Sequence, residues 1–150
     1  MSIRQWGIYW IDFPKNPQSK LQGGIRPAII YSNDKCNNYS PVLTVIPMTH
    51  THNNLPTHLH LNEYTAKSHG LDGSTTILGE SICPVDRGRI KENIGFISNV
   101  DIRESIHCII DVQFGRNAEN EVVRLIKKLG LQSFNNVIAA ALKGNGNFAA

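Results

Sequence analysis

Gly23-Gly24-Ile25-Arg26-Pro27-Ala28-Ile29-Ile30 and, further on, Val45-Ile46-Pro47-Met48-Thr49 are the stretches on which the fold of this chain turns. Pro27 to Tyr31 is a short apolar run, and Ser32-Asn33-Asp34 breaks it with turn chemistry. Val42 to Met48 is a second run of the same kind, rich in β-branched residues. Both read as core strands. An arginine stands between a Gly-Gly turn and a proline at the mouth of the first, and a threonine ends the second. Two such strands lying side by side bring a fixed positive charge and a hydroxyl to one rim of a sheet. That pairing of groups suits the grip of a phosphodiester.

Outward from this centre the chain continues in short strands. Trp6 to Phe13 alternates large apolar side chains and stops at Pro14. The polar stretch Pro14 to Gly24 is long for a hairpin connection and reads as a flap. Pro56 to Leu61, Thr75 to Leu78 and Arg89 to Ile94 are further strand candidates. Five or more short strands with no helix between them predict a mainly β fold, a small curled sheet or barrel rather than a βαβ unit. A helix then follows from Ser98 to Phe114, with Ser98 and Asp101 as its capping pair, an apolar stripe of Ile102, Ile106, Ile109 and Ile110, and Gly115 as its stop. It covers one open face of the sheet. Residues 116–150 read as an accessory helical extension, with one helix from Glu121 to Leu129 and another from Ser133 to Lys143. The expected division is a domain of residues 1–115 and an extension of residues 116–150.

Composition narrows the classes. At 150 residues, with 41% hydrophobic and 18% charged residues, the chain reads as one globular domain. No apolar run approaches the roughly 18 residues needed to span a membrane, and the N-terminus lacks the apolar stretch of a secretory signal. Cys36, Cys83 and Cys108 are odd in number and far apart, which points to a reducing cytoplasm. The net charge of +3 is uneven: +3 over residues 1–48 (five Lys/Arg, two Asp/Glu), −3 over 49–115 (five and eight) and +3 over 116–150 (five and two). Such a balance permits an RNA partner without demanding one.

Several segments, in order, resemble the MazF/PemK family of ribonuclease toxins. These are Gly7-Ile8-Tyr9-Trp10-Ile11-Asp12, Gln22 to Ile30, Ser32-Asn33-Asp34, Val45 to Thr49, Leu55-Pro56-Thr57-His58, Leu78-Gly79-Glu80-Ser81-Ile82 and Val85 to Ile90. Ile94-Gly95 then precedes the helix, so that the resemblance covers roughly residues 7–114. The resemblance implies an SH3-like small barrel that forms a homodimer. It further implies a metal-independent, cofactor-free endoribonuclease that cuts single-stranded RNA at short sequences, leaves a 2′,3′-cyclic phosphate and a 5′-hydroxyl, and is held inactive by a cognate antitoxin. It assigns Arg26 and Thr49 to catalysis and sets Lys20, Gln22, Gly23, Gly24, Glu80 and Ser81 along the RNA. The chain departs from the family at Leu21, often Glu there, and at Ser81, Ile82 and Cys83. A different RNA recognition sequence is the expected consequence.

The residues also support a chemical reading of their own. Metal-free cleavage needs the 2′-OH to attack phosphorus in line, and negative charge grows on the phosphate oxygens. A preorganised guanidinium and a hydroxyl aimed there contribute several kcal/mol. Arg26 stays charged, which makes it a charge stabiliser rather than a base; proton donation to the leaving oxygen is a second role open to it. Five of the six histidines lie between residues 50 and 69. His50 follows Thr49 and His58 falls in a family-like segment, so either is a candidate general base. The pairs His50/His52 and His58/His60 flank Asn53-Asn54. A hairpin there can gather four imidazoles into a zinc site, although the carboxylate or cysteine support usual for zinc is missing. Two other function classes follow: a non-catalytic SH3-like module holding RNA or a peptide, and a metal-binding protein built on the histidine hairpin.

Overall fold

A computed structural model describes residues 2–21 and 23–116. Among them are seven strands: β1 (Gly7–Phe13), β2 (Gly24–Ile30), β3 (Val42–Thr49), β4 (His58–Leu61), β5 (Thr75–Leu78), β6 (Cys83–Asp86) and β7 (Ile90–Phe96). Three helices accompany them: α1 (Asp34–Tyr39), α2 (Glu63–Ser68) and α3 (Val100–Gln113). The sheet runs β4-β5-β3-β2-β1-β7, all antiparallel, with β6 also on β3. This is the mainly β, curled arrangement expected from the strand pattern. The helices expected at Glu121 to Leu129 and Ser133 to Lys143 lie outside the described residues. Among the described residues no helix is long and apolar enough to cross a membrane.

Strand alternation sends side chains to both faces of the sheet, and both faces are apolar over much of their area. One face carries Ile8, Ile29, Ile46, Met48 and Ile77, which pack with Ile106, Ile109 and Ile110 of α3 and with Ala66 of α2. The other carries Tyr9, Ile11, Phe13, Ala28, Ile30, Leu43, Val45, Val85 and Ile90, folded onto one another as the sheet curls. Thus α3 does cover one face, as the isoleucine stripe indicated. Its N-cap is Asn99, whose side chain accepts from the Ile102 amide at 3.1 Å, rather than Ser98. Gly115 follows at φ +70, the left-handed stop expected of it.

Two short helices depart from the sequence reading. Ser32-Asn33-Asp34 does end the strand, but Asn33 is an N-cap, accepting from the Cys36 amide and starting α1. Asn62 caps α2 in the same way through Thr65. At six residues each, neither helix is long enough to show a helical period in sequence. Strand β6 was also unforeseen as a strand. β5 and β6 share the outer edge of β3, but in different registers. Met48 pairs with Ile77 and Val45 with Cys83, so three steps along β3 match six along its partner. The three surplus residues are ejected as a 3₁₀ turn, Gly79–Ser81.

The end of α2 meets β7 backbone to backbone. Phe96 donates its amide to the His69 carbonyl at 3.3 Å. A Cβ on Gly95 would lie 1.8 Å from the His69 oxygen, and one on Gly70, at φ +99, 2.1 Å from the Ile94 oxygen. Only glycine fits such an approach. Gly95→Ala is therefore expected to destabilise the fold by about 3 kcal/mol, whereas Gly73→Ala, whose Cβ enters open space, stays within about 0.5 kcal/mol of the parent. Urea unfolding midpoints compare the two, and equal midpoints would refute the packing account.

Candidate active site at the open end of the sheet

The β1–β2 hairpin positions Arg26. Gly24 takes φ +92, and a Cβ on Gly23 would strike the Pro14 carbonyl oxygen at 2.7 Å and the Lys15 Cα at 2.8 Å. The Gly-Gly pair thus lets the flap close tightly onto the start of β2. The Gly23 carbonyl accepts from Arg26 Nε at 3.3 Å. This bond aims a half-buried guanidinium, and among the described residues neither Nη has a hydrogen-bond partner. Lys20 is exposed on the flap, and Leu21 is 72% exposed. Gln22 lies outside the described residues.

The β2–β3 register positions Thr49. Ile30 pairs with Val45, Ile29 with Ile46 and Ala28 with Pro47. Continuing that register two residues past its last recorded pair sets Arg26 opposite Thr49. Residues directly opposite share a face, and here it is the face turned away from α3. Thr49 is 8% exposed, and its Oγ1 accepts from the Thr51 amide at 3.3 Å, leaving the hydroxyl hydrogen to donate. The backbone bond expected of a strand-end threonine is present, and the hydroxyl is also placed beside the arginine strand. The face they share is divided: its β1-β2-β3-β6 part is apolar, while its β4-β5 end carries His58, His60 and Thr76.

His58 lies among acceptors. Its Nδ1 faces the Asn53 carbonyl at 2.8 Å and its Nε2 the Glu80 carboxylate at 2.6 Å. Thr57 donates to the other Glu80 oxygen at 2.8 Å. Burial of the ring opposes charge, but the Asn53 carbonyl and Glu80 outweigh it and raise the His58 pKa above its usual value. Burial of Glu80 likewise opposes its charge, and the bonds from His58 and Thr57 overcome that and lower it. An imidazole with an acceptor on each nitrogen donates twice and has no lone pair for a substrate proton. The candidate base His58 is thus a latch tying the 50–57 loop to the 3₁₀ turn. His50, the other candidate, is exposed. Its Nδ1 lies 3.0 Å from the Ser74 carbonyl and its Nε2 3.3 Å from Asp72.

The histidine hairpin does not gather four imidazoles. His50 turns to Asp72 and His58 to Glu80, while the rings of His52 and His60 pack together with centroids 4.0 Å apart. Among the described residues no three His, Cys, Asp or Glu side chains are grouped to hold a metal. The departures after Glu80 also sort by direction. Ile82 packs against the α3-side core and Cys83 against the opposite one, so these two answer to packing. Burial raises the Cys83 thiol pKa. Ser81 alone of the three lies outside both clusters.

The latch has a pH signature. The raised His58 stabilises the fold below its unfolded value near 6.5 and loses that contribution as pH climbs through the folded pKa. The lowered Glu80 stabilises above its unfolded value near 4.5 and loses the contribution as pH falls. The window of greatest benefit lies between them. From pH 6 to 8 the parent is expected to lose about 0.5–1 kcal/mol more stability than His58→Gln, a modest figure because solvent screens Glu80. Parallel pH–stability curves for the two proteins would contradict the latch.

Comparison with known proteins bears on the family and the fold. A family profile described as the PemK-like, MazF-like toxin of type II toxin–antitoxin systems matches residues 4–112. Endoribonuclease MazF of Staphylococcus epidermidis is 34% identical over 117 residues, which cover 77% of this chain and 93% of that relative. The MazF structure from Deinococcus radiodurans has a TM-score of 0.63 at 21% identity, covering 77% of this chain and 98% of its own. An endoribonuclease from a mycobacterial species, solved in complex with its cognate antitoxin, gives 0.60 at 18% identity, covering 75% and 95%. These two structures speak for the fold, and the profile and the staphylococcal relative for descent: the chain belongs to the PemK-like, MazF-like toxin family of type II toxin–antitoxin systems.

Proposed function

We propose that this chain is an endoribonuclease toxin that cuts single-stranded RNA at a short sequence without a metal. The observation that carries the reading is the β2–β3 register, which continued two residues past Ala28↔Pro47 sets Arg26 opposite Thr49, in a chain 34% identical to an endoribonuclease over 77% of its length. RNA brings its own nucleophile. The 2′-oxygen attacks the adjacent phosphorus, the bond to the 5′-oxygen breaks, and a 2′,3′-cyclic phosphate and a 5′-hydroxyl result. The Arg26 fork binds the phosphate oxygens as their charge grows, and Thr49 donates a further hydrogen bond. Arg26 stays charged and hydrogen-bonds to the leaving 5′-oxygen, which takes its proton from water. Both candidate imidazoles face an acceptor on each nitrogen, but the exposed Asp72 lies 3.3 Å from His50 against 2.6 Å between Glu80 and the more buried His58, so His50 is the one assigned to take the 2′-OH proton. Its ring needs only to leave exposed Asp72 to present Nε2.

The reading extends to assembly. The mycobacterial and Deinococcus relatives are solved with their antitoxins. We assign this chain a cognate antitoxin, a homodimeric state and the cytoplasm as its place of work. In this reading Lys20 and Gly23 before β2, Gly24 at its start, and Glu80 and Ser81 on the 3₁₀ turn border the RNA path, and Gln22, outside the described residues, is assigned with them. In this assignment residues 1–115 are the toxin domain, in keeping with a family match that stops at 112, and residues 116–150 are an accessory extension.

Purified protein in EDTA, given a long mixed-sequence single-stranded RNA, is expected to leave discrete cuts with 5′-hydroxyl ends. Arg26→Ala should slow cutting by about a hundredfold or more. Arg26→Lys should fall between, keeping the charge and losing the fork. Absence of cutting by the folded parent across a varied RNA panel would reject the proposal in favour of a binding module. The rate should also rise with pH near neutrality in the parent and in His58→Ala, and lose that limb in His50→Ala. A limb that survives in His50→Ala removes His50 as the base.

A further inference from the structure

We propose that His52 and His60 form a nucleobase-stacking subsite beside Arg26 and Thr49, and thereby help decide which RNA sequence is cut. The inference rests on the ribonuclease reading above. Its basis is a row of residues across the sheet. Arg26 stands opposite Thr49 by the continued register, Thr49 pairs with Thr76, and Thr76 pairs with His60. All four lie on the face turned from α3. Two strand spacings, about 10 Å, separate His60 from Thr49. That is the reach from a bound phosphate to the base of a neighbouring nucleotide.

The histidine pair is built to stay in place. The Thr76 hydroxyl is fully buried and lies 3.0 Å from His60 Nδ1, holding the ring from beneath. The His52 ring packs against His60 at 4.0 Å between centroids, tilted by 55°. Both residues are exposed to solvent. The neighbouring histidines are engaged elsewhere, His50 with Asp72 and His58 with Glu80. Two imidazoles make a poor metal site, and His60 stands two strands away from Thr49. What they offer is a small aromatic platform at the side of the phosphate grip. Every base has a π face to lay on it, and stacking strength alone gives modest sequence preference.

The test uses the full chain and an RNA carrying one mapped cut site, with an abasic nucleotide placed in turn at each of the two positions on either side. One abasic position is expected to lower kcat/KM of the parent by roughly five- to a hundredfold. The same lesion should cost the His52→Ala/His60→Ala variant nothing further, and His52→Phe/His60→Phe should retain the parent's penalty. His52→Ala alone, in an exposed loop, serves if the double variant fails to fold. Equal abasic penalties in the parent and the alanine variants would overturn the subsite. If the parent does not cut, the ribonuclease reading has failed and binding decides the subsite separately. A 2′-deoxy RNA with 2-aminopurine moved along its length should then be quenched by the parent and less so by the alanine variants. Equal quenching, or no binding, overturns the inference as well.

Discussion

The pairing of β2 with β3 is the constraint on which the rest of this structure depends. Both strands are apolar on both faces, so a slip of one residue would exchange the two cores rather than expose one of them. The two cores differ in what they must fill. Ile29, Ile46 and Met48 face α3, whereas Ala28, Ile30 and Val45 face the curl of the sheet, where the small Ala28 suits the close approach of strands. The same register carries Arg26 to the level of Thr49. Packing in the middle of the strands thus decides which groups meet at their ends.

Pro47 shows how the ladder tolerates a residue that does not donate. It lies between the last pair with β6, Val45↔Cys83, and the first with β5, Met48↔Ile77. A proline is least costly where pairing is already interrupted. The three residues ejected opposite this gap form the turn that carries Glu80. The proline, the shift in register and the carboxylate latch are therefore parts of one local event.

Much of this was legible in the sequence, and the remainder has physical reasons for being hidden. Thr75 to Leu78 is legible with its observed bounds, and the other strands except β6 to within three residues, because β-branched runs stand between turn residues. α1 and α2 escaped because a six-residue helix shows no period, and the asparagine that caps each looks the same as one that turns a loop. Arg26 and Thr49 could be picked out by residue type and position, and their meeting at one rim follows from pairing the two strands; the residue-by-residue register needed the structure. The role of His58 was beyond reach: its partner Glu80 is 22 residues away, across a register shift that only the paired strands reveal.

Gly79 joins the interior to this surface. It is buried, its amide donates to the Thr57 carbonyl at 2.9 Å, and a Cβ there would lie 2.6 Å from that oxygen and 3.2 Å from the Ile109 side chain of α3. The helix that fills the core therefore presses on the turn that holds Glu80, and Glu80 in turn holds His58 and the loop leading back to Thr49. A volume change at Ile109 would move the turn before it moved β3 or β5, because those strands are tied by ladders on both sides and the turn is not. The residues after Glu80 inherit this divided duty. Ile82 and Cys83 answer to the two cores, leaving Ser81 as the position of the three that can change with the RNA at least cost to the fold.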